Sequence, residues 1–274
     1  MEKTKGLDQS FTVKNFQRLL KRTDFHGENG YRSIDQLLPR LTSLEESISN
    51  SHFQFSPFQR GKINGFQYIS AGSLENRLLM RKLDDNVKRI FRIKSSNRNS
   101  IVWLTKYLAE EKTKFYVLKL DLKSFYESIP HAEVIKKIQE NNLLSNGSKT
   151  LLTKYLDTIA SHSQGGLPRG ICLSSTLSEY YMQPIDKRIK EIDGIYYYGR
   201  FVDDIVIFCY RNPRDIYNQI KKIIKLPLSL NSAKTRIMSS EKNDGYNDID
   251  FDFLGYRFRK NEQLEVDIAK KKNK

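Results

Sequence analysis

Tyr198-Gly199-Arg200-Phe201-Val202-Asp203-Asp204-Ile205-Val206-Ile207-Phe208 is the stretch on which the reading turns. It is a β-branched and aromatic run interrupted at its middle by two adjacent acids, so it reads as two strands with the acids where one turns into the next. Two hard oxygen donors at a hairpin tip, flanked by apolar strands, have the composition of a divalent-metal site for phosphate chemistry. The dipeptide decides nothing alone, since Asp84-Asp85 is a second such pair.

A third acid stands upstream. Phe115-Tyr-Val-Leu-Lys-Leu-Asp121 is an apolar strand ending on a carboxylate, followed by the polar-aromatic turn Leu122-Lys-Ser-Phe125-Tyr126 and by Pro130 near the first turn of a helix. An acid at the end of a buried strand is costly unless paired or metal-bound. Asp121 and the Asp203-Asp204 tip are therefore expected to meet across neighbouring strands as three carboxylates for two metal ions. The plain alternative makes Asp121 a turn cap and the pair solvated hairpin acids. Between the two lies Ser163-Gln-Gly165-Gly166-Leu-Pro-Arg169-Gly170, a tight exposed loop. After it Leu173, Leu177, Tyr180 and Tyr181 recur at helical spacing behind Ser174-Ser175. Glycines allow close backbone approach to a ligand, and Arg169 adds a charge suited to phosphate or carboxylate.

The order of these pieces resembles motifs A, B and C of reverse transcriptases. Leu230-Asn231-Ser-Ala-Lys234-Thr235 looks like motif D, and Phe251-Asp-Phe253-Leu254-Gly255-Tyr256 like motif E, the primer grip. Upstream, Lys88 to Val102, with Arg92, Lys94 and Arg98, resembles the fingers segment that holds the incoming triphosphate. The wording of Asp121 to Ile129 and of Gly-Leu-Pro-Arg-Gly is most similar to bacterial reverse transcriptases of the defence-associated, abortive-infection group, with retron and group II intron enzymes as cousins. The resemblance covers roughly residues 75 to 258.

The resemblance implies an α+β right-hand polymerase with fingers and palm, an antiparallel palm sheet with helices, and a thumb reduced or absent. It implies RNA-directed DNA synthesis from dNTPs with two Mg2+ ions. Asp121, Leu122, Asp203 and Asp204 would hold the metal, with the three acids and Lys234 as catalytic residues and Lys234 protonating the leaving pyrophosphate. Arg92, Lys94, Arg98, Phe125, Tyr126, Arg169 and Gly170 would contact the nucleotide, Tyr126 as the ring that excludes a ribose 2′-hydroxyl. Phe253, Leu254, Gly255 and Tyr256 would grip the primer. Arg169 stands where many relatives carry Gln, and Ser174-Ser175 replaces the more usual Ser-Pro.

Composition agrees. The chain has 47 Lys and Arg against 32 Asp and Glu, a net charge of +15, and a pI near 9.6, the footprint of a nucleic-acid binder. Basic residues interleave with aromatics over 88–106 and 187–200, as a groove tracking a single strand requires. The tail Lys270 to Lys274 reads as a disordered basic end. No signal-like core and no apolar run of membrane-spanning length occur, Cys172 and Cys209 read as buried free thiols, and the four histidines make no zinc pattern, so a cytoplasmic protein without membrane contact is expected.

Expected segments are an N-terminal helical extension over 1–72, fingers over 73–114, palm with motif A over 115–130, fingers and palm helices over 131–164, palm with motifs B, C and D over 165–252, and motif E with a basic tail over 253–274. Helices are expected over 10–23 and 31–50 (interrupted at Pro39), a connector over 51–72, and a helix from Leu74 to about Val87 followed by fingers strands. Further helices are expected around Ile101 to Glu110, from Pro130 to Asn146-Gly147, and over 149–159 and 214–225. About eighteen residues follow Tyr256, room for one strand and a frayed end. Either the grip on the DNA product is therefore reduced, or a structured RNA, a second protein or another copy of the chain is expected to supply it. The alternatives are a template-independent or protein-primed DNA polymerase, an RNA-polymerase-like palm, and a non-catalytic nucleic-acid scaffold.

Overall fold

The computed structural model describes residues 7–25, 33–63, 66–94, 96–160, 166–242, 244–261 and 263–269. The basic tail 270–274 and part of the Gly-rich loop, 163–165, lie outside them. The chain divides into two compact units, residues 1–94 with 129–180 and residues 95–128 with 181–274. The first division falls inside the segment expected to be fingers over 73–114, and helix 98–109 belongs to the second unit.

The first unit is mainly helical. It holds α1 (Val13–Gln17), α2 (Arg22–Phe25), α3 (Ile34–Ser49), the hairpin β1 (Gln59–Ile63) and β2 (Phe66–Ser70), and α4 (Leu74–Ile90). The expected helix over 10–23 is two short ones. The Thr12 hydroxyl caps α1, and i→i+3 bonds from Leu19 and Leu20 tighten its end. The Asp24 carboxylate then accepts from the Lys21 amide and starts α2. Pro39 does not interrupt α3, which runs through it. The proline faces solvent near the N-terminal end, where the carbonyl it strands is open to water. No strand follows α4 among the described residues of 91–97; the strands of this unit precede it.

After the excursion into the second unit come α6 (His131–Gln139) and α7 (Asn146–Ala160). The helix expected to end at Asn146-Gly147 ends at Gln139, because the Asn141 side chain accepts from the amides of Leu143 and Leu144 and turns the chain. Asn146 begins the next helix behind the Ser145 hydroxyl, which accepts from the Ser148 amide. Leu37, Leu41, Leu78, Leu79, Leu83, Leu152 and Tyr155 are fully buried in this unit.

The second unit contains α5 (Arg98–Ala109), β3 (Tyr116–Asp121), β4 (Ile195–Phe201), β5 (Asp204–Cys209), α9 (Pro213–Ile223), β6 (Arg236–Ser239), β7 (Asn247–Asp248), β8 (Asp250–Phe253), β9 (Tyr256–Lys260) and β10 (Leu264–Ile268). Helix α8 (Cys172–Lys190) begins in the first unit and ends in the second. Five strands form a sheet in the order β4-β5-β3-β6-β7, antiparallel except for the short parallel pair β6–β7. Ile205 to Cys209 of β5 are all buried, which is why this strand reads as an unbroken apolar run.

The tail expected to give one strand gives two, and β8, β9 and β10 make a separate antiparallel sheet. Phe115, Val206, Phe208, Phe251, Phe253 and Phe258 share one core with Ile101 and Ala109 of α5. Cys209 is buried as expected, whereas Cys172, at the start of α8, is exposed; both are free. Among the described residues no helix is long and apolar enough to cross a membrane.

Candidate active site

The second unit brings the three acids to one end of its sheet. β3 and β5 are antiparallel and in a register that sets Asp121 directly opposite Asp204. β4 and β5 are joined by the two-residue turn Val202-Asp203, closed by the pair Phe201 and Asp204. The Leu122 amide donates to the Asp203 carbonyl at 3.0 Å, so the end of β3 and the hairpin tip are joined by backbone. With its side chain buried, Leu122 offers only its carbonyl as a donor to a metal.

Val202 has φ of +57°, a left-handed conformation that is strained for a β-branched residue. Strain of this kind persists where the surroundings over-determine it, and it concentrates at functional turns.

Asp121 is 3% exposed and fully engaged. Its Oδ2 accepts from Lys234 Nζ at 2.8 Å, its Oδ1 from Asn231 Nδ2 at 3.1 Å, and its carbonyl from the Asn231 amide at 2.8 Å. The hydrogen bond to Asp121 holds the Lys234 ammonium above its ordinary pKa, with Asp203 and Asp204 adding to the effect, so Lys234 carries its proton. Asp204 is half-buried, and burial pushes its carboxyl upward. Lys119, at 3.6 Å, opposes that rise, while Asp203 and Asp121 add to it by like-charge repulsion.

Among the described residues no three His, Cys, Asp or Glu side chains converge tightly enough to form a metal cluster as they stand. Lysines hold two of the three carboxylates. The donor set nonetheless suits a hard divalent cation in kind: oxygen ligands on adjoining strand ends, with mutual repulsion that positive charge relieves.

The remaining expected residues fall in two places. In the second unit, Phe125 is buried and Tyr126 half-buried, their rings edge-to-face with centroids 5.3 Å apart. Leu254 and Gly255 form the β8–β9 turn with φ of +47° and +81°. Phe253 is buried beneath it, and Tyr256 is half-buried. Arg98, expected on the triphosphate, donates from Nε to the Leu254 carbonyl at 3.2 Å, and its guanidinium lies 6.0 Å from the Tyr256 ring centre.

In the first unit, Arg92 and Lys94 are exposed just after α4, Arg92 with φ of +51°. Arg169 and Gly170 pack on the β1–β2 hairpin, where the Ile69 amide donates to the Arg169 carbonyl at 3.0 Å. A side chain at Gly170 would meet the Ile69 carbonyl at 2.6 Å, so this loop lies on β2 only as glycine.

Several contacts at the acids were not marked in the sequence. Lys119 had a local signal, since residues two apart on a strand share a face and Asp121 follows it by two. Asn231 lay inside the motif D resemblance, but nothing nearby marks its side chain as Asp121's partner. Arg60 and Lys62 are exposed on the hairpin that carries the Arg169 loop, within the segment expected to be a connector.

A model of the family described as "Reverse transcriptase (RNA-dependent DNA polymerase)" matches residues 26–258. No curated protein matches the chain. Among solved structures, an apo telomerase from Candida tropicalis truncated from its C-terminal domain is 16% identical with a TM-score of 0.47, over 70% of this chain and 45% of that one. A telomerase from Candida albicans in complex with a fragment of telomeric RNA is 17% identical with a TM-score of 0.43, over 70% and 37%. The chain thus spans less than half the length of the telomerase chains it is similar to.

Proposed function

The chain belongs to the reverse transcriptase (RNA-dependent DNA polymerase) family, and from that premise we propose that it joins deoxynucleotides to a 3′-hydroxyl under the direction of an RNA template. The observation that carries this reading is the register placing Asp121 opposite Asp204, with Asp203 in the intervening two-residue turn. In it the sheet unit serves as palm and the helical unit as fingers.

Asp121, Asp203, Asp204 and the Leu122 carbonyl would hold two divalent ions, with magnesium favoured by the all-oxygen donor set. Bound there, such ions lower the pKa of an attacking hydroxyl and neutralise charge developing on the leaving oxygen. The chain's own groups do the rest. Lys234 keeps its proton at Nζ, as a group that protonates leaving pyrophosphate must. Asn231 holds the second oxygen of Asp121 and fixes that carboxylate's orientation. Tyr126, braced by Phe125, presents a ring to the sugar. The resemblance assigns Arg92, Lys94, Arg169 and Gly170 of the helical unit to the nucleotide, and Arg98 supports the turn assigned to the primer. The motif wording supports a defence-associated bacterial member with a dedicated RNA template, and two free cysteines suit a reducing cytoplasm.

The test is incorporation of each dNTP and rNTP on primed RNA with magnesium, comparing wild type with Asp203→Asn plus Asp204→Asn. Losing several kcal/mol of charge stabilisation lowers the deoxynucleotide rate by about a thousandfold or more. Equal incorporation by the double variant overturns the assignment of the acids, and template-free incorporation replaces the reading with untemplated synthesis.

A further inference from the structure

Arg200 sits on β4 two residues before the acid turn and is almost completely buried, its side chain 3% exposed. Its guanidinium forms a fork on Asp186 of α8, Nε to Oδ1 at 2.9 Å and Nη2 to Oδ2 at 2.7 Å. The same Asp186 Oδ1 accepts from the Tyr198 hydroxyl at 2.7 Å. A planar, permanently charged fork of this kind fixes orientation as well as charge.

Two further contacts give the pair a direction. Arg200 Nη1 donates to the Val202 carbonyl at 3.0 Å, on the one residue of the turn with left-handed φ. The guanidinium carbon lies 6.0 Å from the centre of the Phe125 ring, and Phe125 in turn packs edge-to-face on Tyr126. One buried cation therefore touches the strained turn that presents Asp203 and the aromatic pair assigned to the sugar.

We propose that the Asp186–Arg200 pair is a positioning device that holds the acid turn and the sugar-facing aromatics in one register, so that geometry at the metal-binding acids and discrimination against ribonucleotides are set by the same brace. The proposal rests on the polymerase reading for its kinetic consequences but not for its structural one. Neither residue is among those assigned to substrate. Their effect passes through Val202 to Asp203 and through Phe125 to Tyr126. Buried charge pairs contribute uncertain net stability, because desolvation offsets attraction. The role proposed for this pair is therefore the geometry it imposes, not net stability.

The experiment uses the full chain with Arg200→Lys, which keeps the charge and loses the fork, Asp186→Asn, which keeps the shape and loses the charge, and Tyr198→Phe, which removes only the hydroxyl contact. Amide hydrogen exchange is followed over 199–205 and 122–127 beside thermal melting, kcat and KM for dNTP, and the dNTP-to-rNTP preference. Expected for Arg200→Lys and Asp186→Asn is faster exchange in both segments together. Their kcat falls about tenfold to a hundredfold, as misplacement by an ångström does, with KM little changed and reduced sugar preference. Tyr198→Phe, which leaves the Arg200 fork in place, melts lower through its lost hydrogen bond but keeps wild-type exchange over 122–127 and wild-type sugar preference. Unchanged exchange and sugar preference in folded Arg200→Lys or Asp186→Asn overturns the proposal, as does an equal loss in Tyr198→Phe. Should Arg200→Lys fail to fold, Asp186→Asn decides. Should wild type incorporate nothing, the polymerase reading fails, and coupled exchange in the two segments still upholds or rejects the brace.

Discussion

Tyr126 and Gly255 show how much a single residue is asked to do here. Tyr126 is half-buried against Phe125, which holds its ring. In the sugar-facing role proposed for it, replacing it with Ala is expected to raise the rNTP-to-dNTP incorporation ratio by about tenfold to a hundredfold, the range a hydroxyl-sized difference in a packed pocket supports. Competition assays with matched dNTP and rNTP measure it, and an unchanged ratio removes Tyr126 from sugar selection. Gly255 carries two constraints at once. Its φ of +81° disfavours any side chain, and a Cβ there would meet an Arg98 guanidinium nitrogen at 2.6 Å. Gly255→Ala is expected to cost about 1–2 kcal/mol from the backbone alone. It also loosens the Arg98 contact with Leu254, read as lower urea midpoints together with weaker primer binding.

Among the elements, the small helix α2 has a consequence larger than its four residues. Its Asp24 side chain is fully buried and takes hydrogen bonds from Arg77 at 3.3 Å and Arg81 at 3.2 Å, both on α4. Burial by itself raises this carboxyl, but the Arg81 bond, the Lys21 amide and the remaining charge contacts outweigh it, and the net shift is downward. A carboxyl depressed in the folded state adds stability that is fully present above the unfolded value, about 3.9. That stability is lost as pH falls through the lower folded value. Asp24→Asn should therefore lower stability by about 1–3 kcal/mol at neutral pH, the scale of hydrogen bonds to charged groups. The gap to wild type should close as pH drops below about 4. Melting curves from neutral to acid pH check it, and a gap that widens in acid contradicts the sign. The β1–β2 hairpin makes a similar point about pairing. Gly61 stands opposite Tyr68, whose ring lies over it and replaces the cover a side chain would give.

At the scale of the whole molecule, the excess of fifteen positive charges predicts binding to nucleic acid that weakens steeply with salt. For single-stranded RNA the logarithm of affinity should fall linearly with the logarithm of salt. Arg60→Ala with Lys62→Ala should reduce that slope by about one unit for each phosphate left without its cation. An unchanged slope would place the phosphate-binding surface elsewhere. The same scale separates what could be read from residue order from what could not. The strand-turn-strand around Asp203-Asp204, the strand ending at Asp121, the helix after Gly170 and the helices α4, α5 and α9 were legible, because each is written in local periodicity and turn chemistry. Local signals also misled where competing local bonds decided the outcome: Asn141 ended α6 early, the bonds after Phe16 split the first helix, and solvent made Pro39 harmless within α3. The family order of motifs named the three acids, Leu122 and Lys234, but not the contacts among them or the other side chains that join them. Asn231 reaches Asp121 across 110 residues, and Arg200 reaches Asp186 on α8 only because that helix packs beside β4. By itself, then, the sequence determined which residues carry the acids, the turns and the apolar strands, since those depend on covalent neighbours. The tertiary structure decided which lysines and which asparagine contact those acids, and which arginine braces their turn. Partners distant in sequence meet only when strand register and helix packing bring them together, and no short-range pattern records that meeting.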